Sequence, residues 1–381
     1  MDFNLSKIKK VHLIGIGGIA VSADAKFLIG IGKIVTGSDA RDSEIINELR
    51  KKGIFVTIGH KAQNIKKDID LIIYSPAVPY ENVERTKARK YGIREISHTE
   101  FLGCLSQKMQ TVAVSGTNGK STTTAMIGLI LEKAGLDPTV IVGSRVPWFE
   151  EGNLRAGAGW CDSYRLTHGK IPPSYHTKNF GVVASPPLKK GGESLFVVEG
   201  CEYKAGMMEL SPEMIVLTNI EEDHLDYYKN LAHIKRVFHK YVKKVENGGL
   251  VVYNSDDKNT IDVIGGYRGR KAGYGVASNI SHQLLSDKEA DKLEIKKLEI
   301  VGHKANNIDA EAKNVIVKNQ RQNFEFYRNG NKLGEIKLRV PGIFNIYNAM
   351  AAATVALELG VNFKIIKKSL EDFKGIWRRF E

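Results

Sequence analysis

The sequence contains little cysteine and little tryptophan, with three residues of each among 381, and it has no long apolar run. Cys104, Cys161 and Cys201 have neither metal-ligand spacing nor a pairing pattern, which argues against a disulfide scaffold and is consistent with a reducing compartment. No uninterrupted apolar stretch approaches the roughly 20 residues that span a bilayer. We therefore expect a cytoplasmic protein with no membrane partner.

The composition is that of a folded globular protein, with 42% hydrophobic and 26% charged residues. A length of 381 residues suits two or three domains. The formal net charge of +13 suits anionic ligands such as nucleotides. Nucleic acid is the alternative, but the Lys and Arg residues are dispersed and are not grouped with aromatics in one tract. We therefore expect no nucleic-acid partner.

The stretch TVAVSGTNGKSTTTAMIGLILEKAG, residues 111–135, has the pattern of a phosphate-binding loop between a strand and an amphipathic helix. Gly116 and Gly119 let the backbone turn tightly and expose its N–H groups, and a helical pattern begins at Ala125. Lys120 would reach the β- and γ-phosphates, and the Ser121 hydroxyl would ligate Mg²⁺. The alternative is a Ser/Thr-rich helix cap with a solvated lysine.

A second glycine turn lies near the N-terminus, in VHLIGIGGIA. This stretch imitates part of a secretory signal, but its glycines make a poor apolar helix and a good phosphate turn. Gly15, Gly17 and Ala20 form a G-x-G-x-x-A pattern, and Asp39 ends the next strand, as in dinucleotide-binding units. Taken alone this favours NAD, although Asp39 is also a common turn residue. Ser75 follows a later apolar strand, where ligands lie in open α/β sheets.

Two glycine turns about one hundred residues apart indicate an enzyme that handles ATP and a second, nucleotide-linked substrate. The predicted fold class is α/β, with a doubly wound Rossmann-like domain over residues 1–108 and a P-loop-type ATP-binding domain over 109–381. In the second domain Glu199 ends a buried strand and is placed to hold Mg²⁺. Asn345 and Asn348 share one helical face further on.

The segments GIGGIAVS, SGTNGKSTTT, VVEGCEY, TNIEEDHLDYY, FNIYNAMAA and RRFE resemble the Mur ligases of peptidoglycan synthesis, in order and over nearly the whole chain. The resemblance implies an ATP- and Mg²⁺-dependent ligase that joins L-alanine to UDP-N-acetylmuramate. The muramoyl carboxylate would attack the γ-phosphate to give an acyl phosphate, and the amine of L-alanine would then displace phosphate. Positive charge that offsets the repulsion between two anions is the main help such a site gives.

The resemblance also assigns residues to roles. The residues that would bind the UDP part of the substrate, in place of NAD, are Gly15, Gly17, Gly18, Ile19, Asp39 and Ser75. The ATP-binding residues would be Gly116, Thr117, Asn118, Gly119, Lys120, Ser121, Thr122 and Asn345. The metal ligands would be Ser121 and Glu199 for one Mg²⁺ and His224 for a second, and the catalytic residues Lys120, His224 and Arg378.

Single residues of this set have simpler interpretations: Glu199 as a strand-end surface acid, His224 as a structural histidine, and Asn345 as a helix cap.

The chain also departs from the family pattern at four places. Ala20 replaces a glycine, and Phe344 stands where the family usually has His, which would change the adenine contact to stacking or packing. Residues 161–193 look like a flexible insertion.

The fourth departure is that the family's C-terminal, amino-acid-binding domain is absent after RRFE. The chain is then either a fragment of a split or truncated gene, or a separate C-terminal-domain polypeptide completes it as a partner. We expect the isolated chain to bind nucleotide but to ligate alanine poorly or not at all. The alternative functions are a ligase that attaches a tripeptide to the same UDP-sugar in recycling, a non-catalytic nucleotide-binding module, and an NAD-dependent oxidoreductase.

Overall fold

The computed structural model describes residues 5–157, 194–245, 248–277, 280–281, 308–318 and 321–377. The expected insertion at 161–193 and the residue Arg378 lie outside these ranges. Over the described ranges, no helix combines the length and the apolar character that crossing a bilayer requires.

The first sheet has five strands, all parallel, in the order β3-β2-β1-β4-β5. Its strands are β1 (Lys10–Ile14), β2 (Ile34–Asp39), β3 (Phe55–Ile58), β4 (Leu71–Tyr74) and β5 (Arg94–Ser97). Its helices are α1 (Ile19–Gly30), α2 (Glu44–Lys51), α3 (Val83–Lys90) and α4 (His98–Ser106). Short 3₁₀ turns cover Leu5–Lys7 and Ala62–Asn64. The continuous apolar run of β4 fits a strand whose two faces are both covered.

The strand order reverses at β1, because β2 lies on one side of it and β4 on the other. In open α/β sheets such a switch point is where ligands bind, outside the carboxyl ends of the strands. Gly15 follows β1, Asp39 ends β2, and Ser75 follows β4. The doubly wound fold predicted for this region is confirmed, and it brings these three residues to one edge of the sheet.

The second sheet has eleven strands in the order β16-β15-β14-β12-β11-β10-β6-β9-β7-β8, with β13 paired to β14. Its strands are β6 (Gln110–Ser115), β7 (Thr139–Ile141), β8 (Leu154–Arg155), β9 (Leu195–Gly200), β10 (Met214–Leu217), β11 (Leu250–Asn254), β12 (Arg270–Val276), β13 (Ile280–Ser281), β14 (Ala310–Lys318), β15 (Arg321–Arg328) and β16 (Asn331–Leu338). Neighbouring strands from β14 to β7 pair in parallel, whereas β15, β16 and β8 pair antiparallel.

Among the residues that the structure describes, five helices and one 3₁₀ segment accompany this sheet. They are α5 (Lys120–Lys133), the 3₁₀ segment Tyr203–Glu209, α6 (Leu231–Val242), α7 (Lys258–Ile264), α8 (Ile343–Glu358) and α9 (Phe363–Asp372). Residues that the sequence suggests as metal ligands lie near the carboxyl ends of two central parallel strands, β9 and β10. Because β6 lies between β9 and β10, the loop after β6 faces both.

Helix α5 differs from its prediction in two ways. It begins at Lys120 instead of Ala125, and its residues Ser121–Leu131 are all buried, so it is not amphipathic. Ser and Thr are modest helix formers, but the helices α8 and α9 pack against α5, and α8 also contacts the sheet at β11, β12 and β14. Tertiary packing therefore extends the helix through the hydroxyl residues and brings Lys120 to its first turn.

The two sheets share part of one apolar core, which includes Phe27 of α1, Phe101 of α4 and Tyr241 of α6. Buried polar contacts reinforce this junction, since the Lys26 ammonium donates to the main-chain oxygen of Glu151 at 2.6 Å and to the Asn153 side chain at 3.0 Å. The change from the first sheet to the second falls between the end of β5 and the start of β6. A domain division at residue 108 stays a prediction.

Candidate active site

The loop between β6 and α5 needs glycine at two positions. Gly116 has φ +138°, and a Cβ there would lie 2.1 Å from Thr218 Oγ1. Gly119 has φ +82°, and its Cβ would lie 2.4 Å from Asn348 Oδ1. An L side chain at either position would meet both an unfavourable backbone conformation and a buried neighbour. The sequence therefore fixes a tight loop at the carboxyl end of β6.

The segment after β10 holds this loop in place. The N–H of Thr117 donates to Asn219 O and the N–H of Asn118 to Asn219 Oδ1, both at 2.9 Å. The Thr218 hydroxyl donates to Asn118 O at 2.6 Å. Two of the loop N–H groups that were expected to face phosphate are thus used within the protein. The loop is consequently a rigid support for the first turn of α5.

That first turn supplies the remaining donors. The first N–H groups of a helix have no acceptor within it, and among the residues that the structure describes no side chain caps this one. Lys120, Ser121 and Thr122 occupy this turn. A helix N-terminus with uncapped N–H groups favours an anion such as phosphate. The start of α5 is therefore the part of this region that best suits an anion.

Lys120 turns back over the loop. Its ammonium donates to Gly116 O at 2.7 Å, to Thr117 O at 2.9 Å and to the Glu202 carboxylate at 2.9 Å. The side chain is mostly buried, with 15% of it exposed, and Glu202 is buried more deeply still. A buried ion pair of this kind is costly to break unless each charge finds another partner.

Two groups of oxygen and nitrogen atoms near Lys120 could hold divalent cations. In the first, the Ser121 hydroxyl donates to Glu199 Oε2 at 3.1 Å, because Glu199 of β9 lies beside Val114 of β6 in parallel register. A hydroxyl and a carboxylate are oxygen ligands of the kind that Mg²⁺ prefers. The residues present therefore fit one magnesium ion.

The second group consists of Glu202, Asp223 and His224, whose ligand atoms all lie within 4.8 Å of one another. His224 Nε2 lies 3.5 Å from Glu202 Oε1, and the imidazole lies against the Tyr203 ring at 4.9 Å between centroids. The sequence pattern predicts a role for His224 but gives none to Glu202. In the sequence, Glu202 is distinguished only by lying three residues after Glu199. The turn of the chain after β9 is what brings its carboxylate to the site.

Cys201 and Tyr228, which also lie in this region, are unsuited to acid–base work. Burial and the neighbouring Glu202 charge raise the pKa of the Cys201 thiol. Burial raises the pKa of the Tyr228 hydroxyl well above its ordinary value. Both groups therefore stay neutral near pH 7, and the charge of the site comes from Lys120 and the carboxylates.

Asn345 lies in the first turn of α8, which packs against α5. Its amide donates to Pro341 O at 2.5 Å, and it accepts from Asn348, whose oxygen in turn accepts from the Thr123 hydroxyl of α5. Both asparagines are buried, so they tie α8 to α5, and an adenine contact by Asn345 stays a prediction. The neighbouring Phe344 has 57% of its surface exposed, which leaves its ring open for stacking.

The glycine turn of the first sheet is braced in the same manner. Gly15, at φ +80°, donates its N–H to Ser38 O at 2.8 Å, and a Cβ on it would lie 2.9 Å from Ser75 Cβ. Gly17 donates its N–H to Asp39 Oδ2 at 2.8 Å. The Asp39 carboxylate thus supports the turn, and its contact with a ribose stays a prediction.

A buried polar cluster lies below this turn. The Ser38 hydroxyl donates to Glu84 Oε2 at 2.5 Å, and His60 Nδ1 lies 3.2 Å from the same oxygen. His12 of β1 is almost fully buried beside them, with its Nδ1 2.8 Å from Thr36 Oγ1. Burial lowers the pKa of His12 to about 4, against the partial opposition of the Glu84 charge.

This lowered pKa predicts a pH dependence of stability. The folded protein binds fewer protons at His12 than the unfolded chain does. The contribution of His12 to the free energy of unfolding is therefore complete above the ordinary pKa of 6.5 and is lost as the pH falls toward about 4. We expect the free energy of unfolding to fall by about 2 kcal/mol more between pH 7 and pH 5 in the wild type than in His12→Gln. Urea titrations of both proteins at the two pH values measure this; equal losses would contradict it.

A cleft of about 510 Å³ lies beside the first glycine turn, between the start of α1 and the segment that follows β7. Its lining residues are Ile19, Ser43, Glu44, Ile45, Gly143, Ser144, Arg145 and Trp377. Ile19 directly follows the first turn, and the N–H of Gly143 donates to Glu199 Oε1 at 2.5 Å. The Arg145 guanidinium pairs with Glu48 at 2.8 Å and with Glu44 at 3.5 Å. The catalytic role predicted for Arg378 lies outside the described residues.

Comparison with known proteins identifies the two halves of the chain. The model described as "Mur ligase family, catalytic domain" matches residues 10–110, and the model described as "Mur ligase middle domain" matches residues 114–295 and 284–356. A Clostridium novyi protein named UDP-N-acetylmuramate–L-alanine ligase is 36% identical over 384 residues. That alignment covers 100% of this chain and 70% of the relative.

Solved structures show the same fold. The UDP-N-acetylmuramate-alanine ligase MurC of Thermotoga maritima gives a TM-score of 0.72 at 26% identity, covering 98% of this chain and 70% of that one. The UDP-N-acetylmuramate:L-alanyl-gamma-D-glutamyl-meso-diaminopimelate ligase of Neisseria meningitides gives 0.73 at 23% identity, covering 97% of this chain and 100% of that one. At that identity the second likeness concerns the fold alone.

Proposed function

Since the chain belongs to the Mur ligase family, we propose that it is an ATP-dependent ligase that joins L-alanine to UDP-N-acetylmuramate in peptidoglycan synthesis. The observation that supports this most is a cleft beside the first glycine turn. It is lined by Ile19, which follows that turn, and by Gly143, whose N–H donates to Glu199, the carboxylate that also accepts from Ser121 of α5. A substrate bound by its diphosphate at one turn could present a carboxylate to a triphosphate at the other.

Each turn has a part in this proposal. The UDP diphosphate lies against Gly15, Gly17 and Gly18, where the start of α1 has no side-chain cap among the described residues. The ATP triphosphate lies at the first turn of α5, with Lys120 at its β- and γ-phosphates.

The metal-binding groups would be Ser121 with Glu199, and His224 with Glu202 and Asp223. Bound Mg²⁺ supplies charge neutralisation of the phosphates, which allows one anion to approach another. The protein's own contribution is to hold these ligands at the carboxyl ends of neighbouring strands. Glu199 is fixed by the Gly143 N–H and the Ser121 hydroxyl, so its carboxylate is oriented before any ion binds.

The reaction then has two steps. A carboxylate oxygen of the muramoyl group attacks the γ-phosphorus, the bond to the β-phosphate oxygen breaks, and ADP leaves. The amine of L-alanine attacks the resulting acyl phosphate, the carbon–oxygen bond to phosphate breaks, and the amine loses a proton as the amide forms. Lys120 stabilises the charge on the transferring phosphoryl group, which is the main contribution that a site of this kind makes.

The partner and the compartment are also proposals. The Clostridium novyi relative extends beyond the matched region, which is 70% of its length. We propose that a C-terminal domain, on the same protein or on a separate polypeptide, presents L-alanine to the cleft and closes it, as closure supplies orientation in such reactions. The substrates are cytoplasmic metabolites in this scheme, so the protein is placed in the cytoplasm.

An assay of phosphate release tests the function. ATP and Mg²⁺ are supplied with UDP-N-acetylmuramate and either L-alanine or a tripeptide, with and without the C-terminal-domain polypeptide. We expect release only when the sugar nucleotide and L-alanine are both present, and we expect it to rise with the added polypeptide. Phosphate release with UDP-N-acetylmuramate and the tripeptide, but not with L-alanine, would favour the ligase that attaches a tripeptide in recycling. Tight NADH binding, seen by fluorescence, with no release in any arm would contradict the proposal.

A further inference from the structure

The ion pair between Lys120 and Glu202 has no part in the two proposed reaction steps. A lysine ammonium has three N–H donors. Gly116 O, Thr117 O and the Glu202 carboxylate accept from them at 2.7, 2.9 and 2.9 Å. All three donors are therefore in use, and Lys120 can bind a phosphate only by giving up one of these contacts.

The contact with Glu202 is the one that a phosphate would replace. The two carbonyl groups belong to the loop that immediately precedes Lys120, and they are neutral acceptors. A phosphate oxygen and the Glu202 carboxylate are both anions that compete for the same ammonium. Once the lysine moves, the Glu202 side chain, 5% exposed, would carry a charge without a partner, which a protein interior tolerates poorly.

The surroundings of Glu202 offer it a second cation. The ligand atoms of Glu202, Asp223 and His224 lie within 4.8 Å of one another. The Tyr228 hydroxyl donates to the main-chain oxygen of Glu202 at 2.5 Å and is itself buried, which fixes the backbone whatever the carboxylate contacts. The same carboxylate can thus face either the lysine or a divalent cation held with its two neighbours.

We propose that Glu202 is an exchange carboxylate that couples the two ligands of the site: it pairs with Lys120 until a triphosphate takes the lysine, and it then accepts a divalent cation. This rests on the proposed function only in requiring a triphosphate at the loop. Because coupling between sites is reciprocal, nucleotide should tighten cation binding by the same factor as the cation tightens nucleotide binding. In this scheme Glu202 contacts Lys120 or the cation in turn, and it acts on the nucleotide only through them.

The first test compares the affinity of a non-hydrolysable ATP analogue with and without Mg²⁺, by titration calorimetry. In the wild type we expect Mg²⁺ to tighten binding about tenfold or more. In Glu202→Gln the enhancement should fall to about threefold or less, and binding without Mg²⁺ should become tighter because Lys120 is released. Glu209→Gln, an exposed acid of the adjoining 3₁₀ segment, is the matched control and should behave like the wild type.

The second test removes the other partner. Without nucleotide, Lys120→Met leaves Glu202 free for a cation, so its affinity for Mn²⁺, measured by electron paramagnetic resonance, should rise about fivefold. The double variant with Glu202→Gln should lose this gain, and circular dichroism confirms that each variant is folded. An unchanged Mg²⁺ enhancement in Glu202→Gln, or no tighter Mn²⁺ binding in Lys120→Met, overturns the inference alone. A wild-type chain that binds no nucleotide overturns the proposed function as well.

Discussion

Replacing Lys120 by methionine is expected to lower the rate of ATP-dependent amide formation by about 10³-fold, a loss of about 4 kcal/mol of transition-state stabilisation. The ammonium lies within 2.9 Å of two loop carbonyl groups and of Glu202. Methionine keeps the length and the packing of the side chain but has no charge. The measurement is steady-state kinetics with ATP, UDP-N-acetylmuramate and L-alanine all saturating.

A matched control comes from the same helix. Lys133 lies in the last turn of α5 and pairs with Asp372 at 2.7 Å on the surface. Lys133→Met removes the same charge at a distance from the phosphate loop, so its rate should stay within about twofold of the wild type. Binding of UDP-N-acetylmuramate should survive in both variants. A rate for Lys120→Met close to that of the control would contradict the assignment of the triphosphate to this loop.

Replacing Gly119 by alanine should weaken binding of the ATP analogue about a hundredfold, because a loop displaced by about 1 Å misplaces every donor that follows it. The added Cβ would lie 2.4 Å from Asn348 Oδ1, and Asn348 is held by Asn345 and Thr123 in the buried contact between α8 and α5. Neither the asparagine nor the backbone can move aside without breaking those bonds. Calorimetric titration measures the change.

A second glycine variant separates the effect of backbone strain from the effect of the clash in Gly119→Ala. Gly135 follows the same helix, has φ +76°, close to the +82° of Gly119, and a Cβ on it would meet nothing within 4 Å. Gly135→Ala therefore imposes a comparable left-handed strain of about 1–2 kcal/mol on stability without a clash. Its nucleotide affinity should match the wild type. If both variants lose affinity equally, strain and not displacement of the loop is responsible.

The order of elements was predictable because local patterns determine it. Apolar strands that end at or within one residue of Gly15, Asp39 and Glu199 can be recognised in the sequence, and parallel strands carry their carboxyl ends to one edge. The two glycine turns follow from the same pattern. Local patterns leave open which strand lies beside which, and the order β10-β6-β9 is what brings Glu199 next to Ser121.

The remaining features depend on contacts between distant segments. Asn219 takes the N–H groups of Thr117 and Asn118 although a hundred residues separate them, and no local rule foresees that. Glu202 reads as an ordinary acid in the sequence, and only the 3₁₀ turn after β9 places it against Lys120. The predicted start of α5 is five residues late because propensity disfavours its hydroxyl residues, and packing by α8 overrides that preference.

An isotope experiment tests the central proposal most directly. UDP-N-acetylmuramate labelled with ¹⁸O in its carboxylate is turned over by the chain with ATP, Mg²⁺, L-alanine and the C-terminal-domain polypeptide, and the released phosphate is analysed by mass spectrometry. If the carboxylate attacks the triphosphate held at Lys120, one labelled oxygen passes into each phosphate as the amide forms. Phosphate that is released without label would mean that the two glycine turns do not serve one reaction.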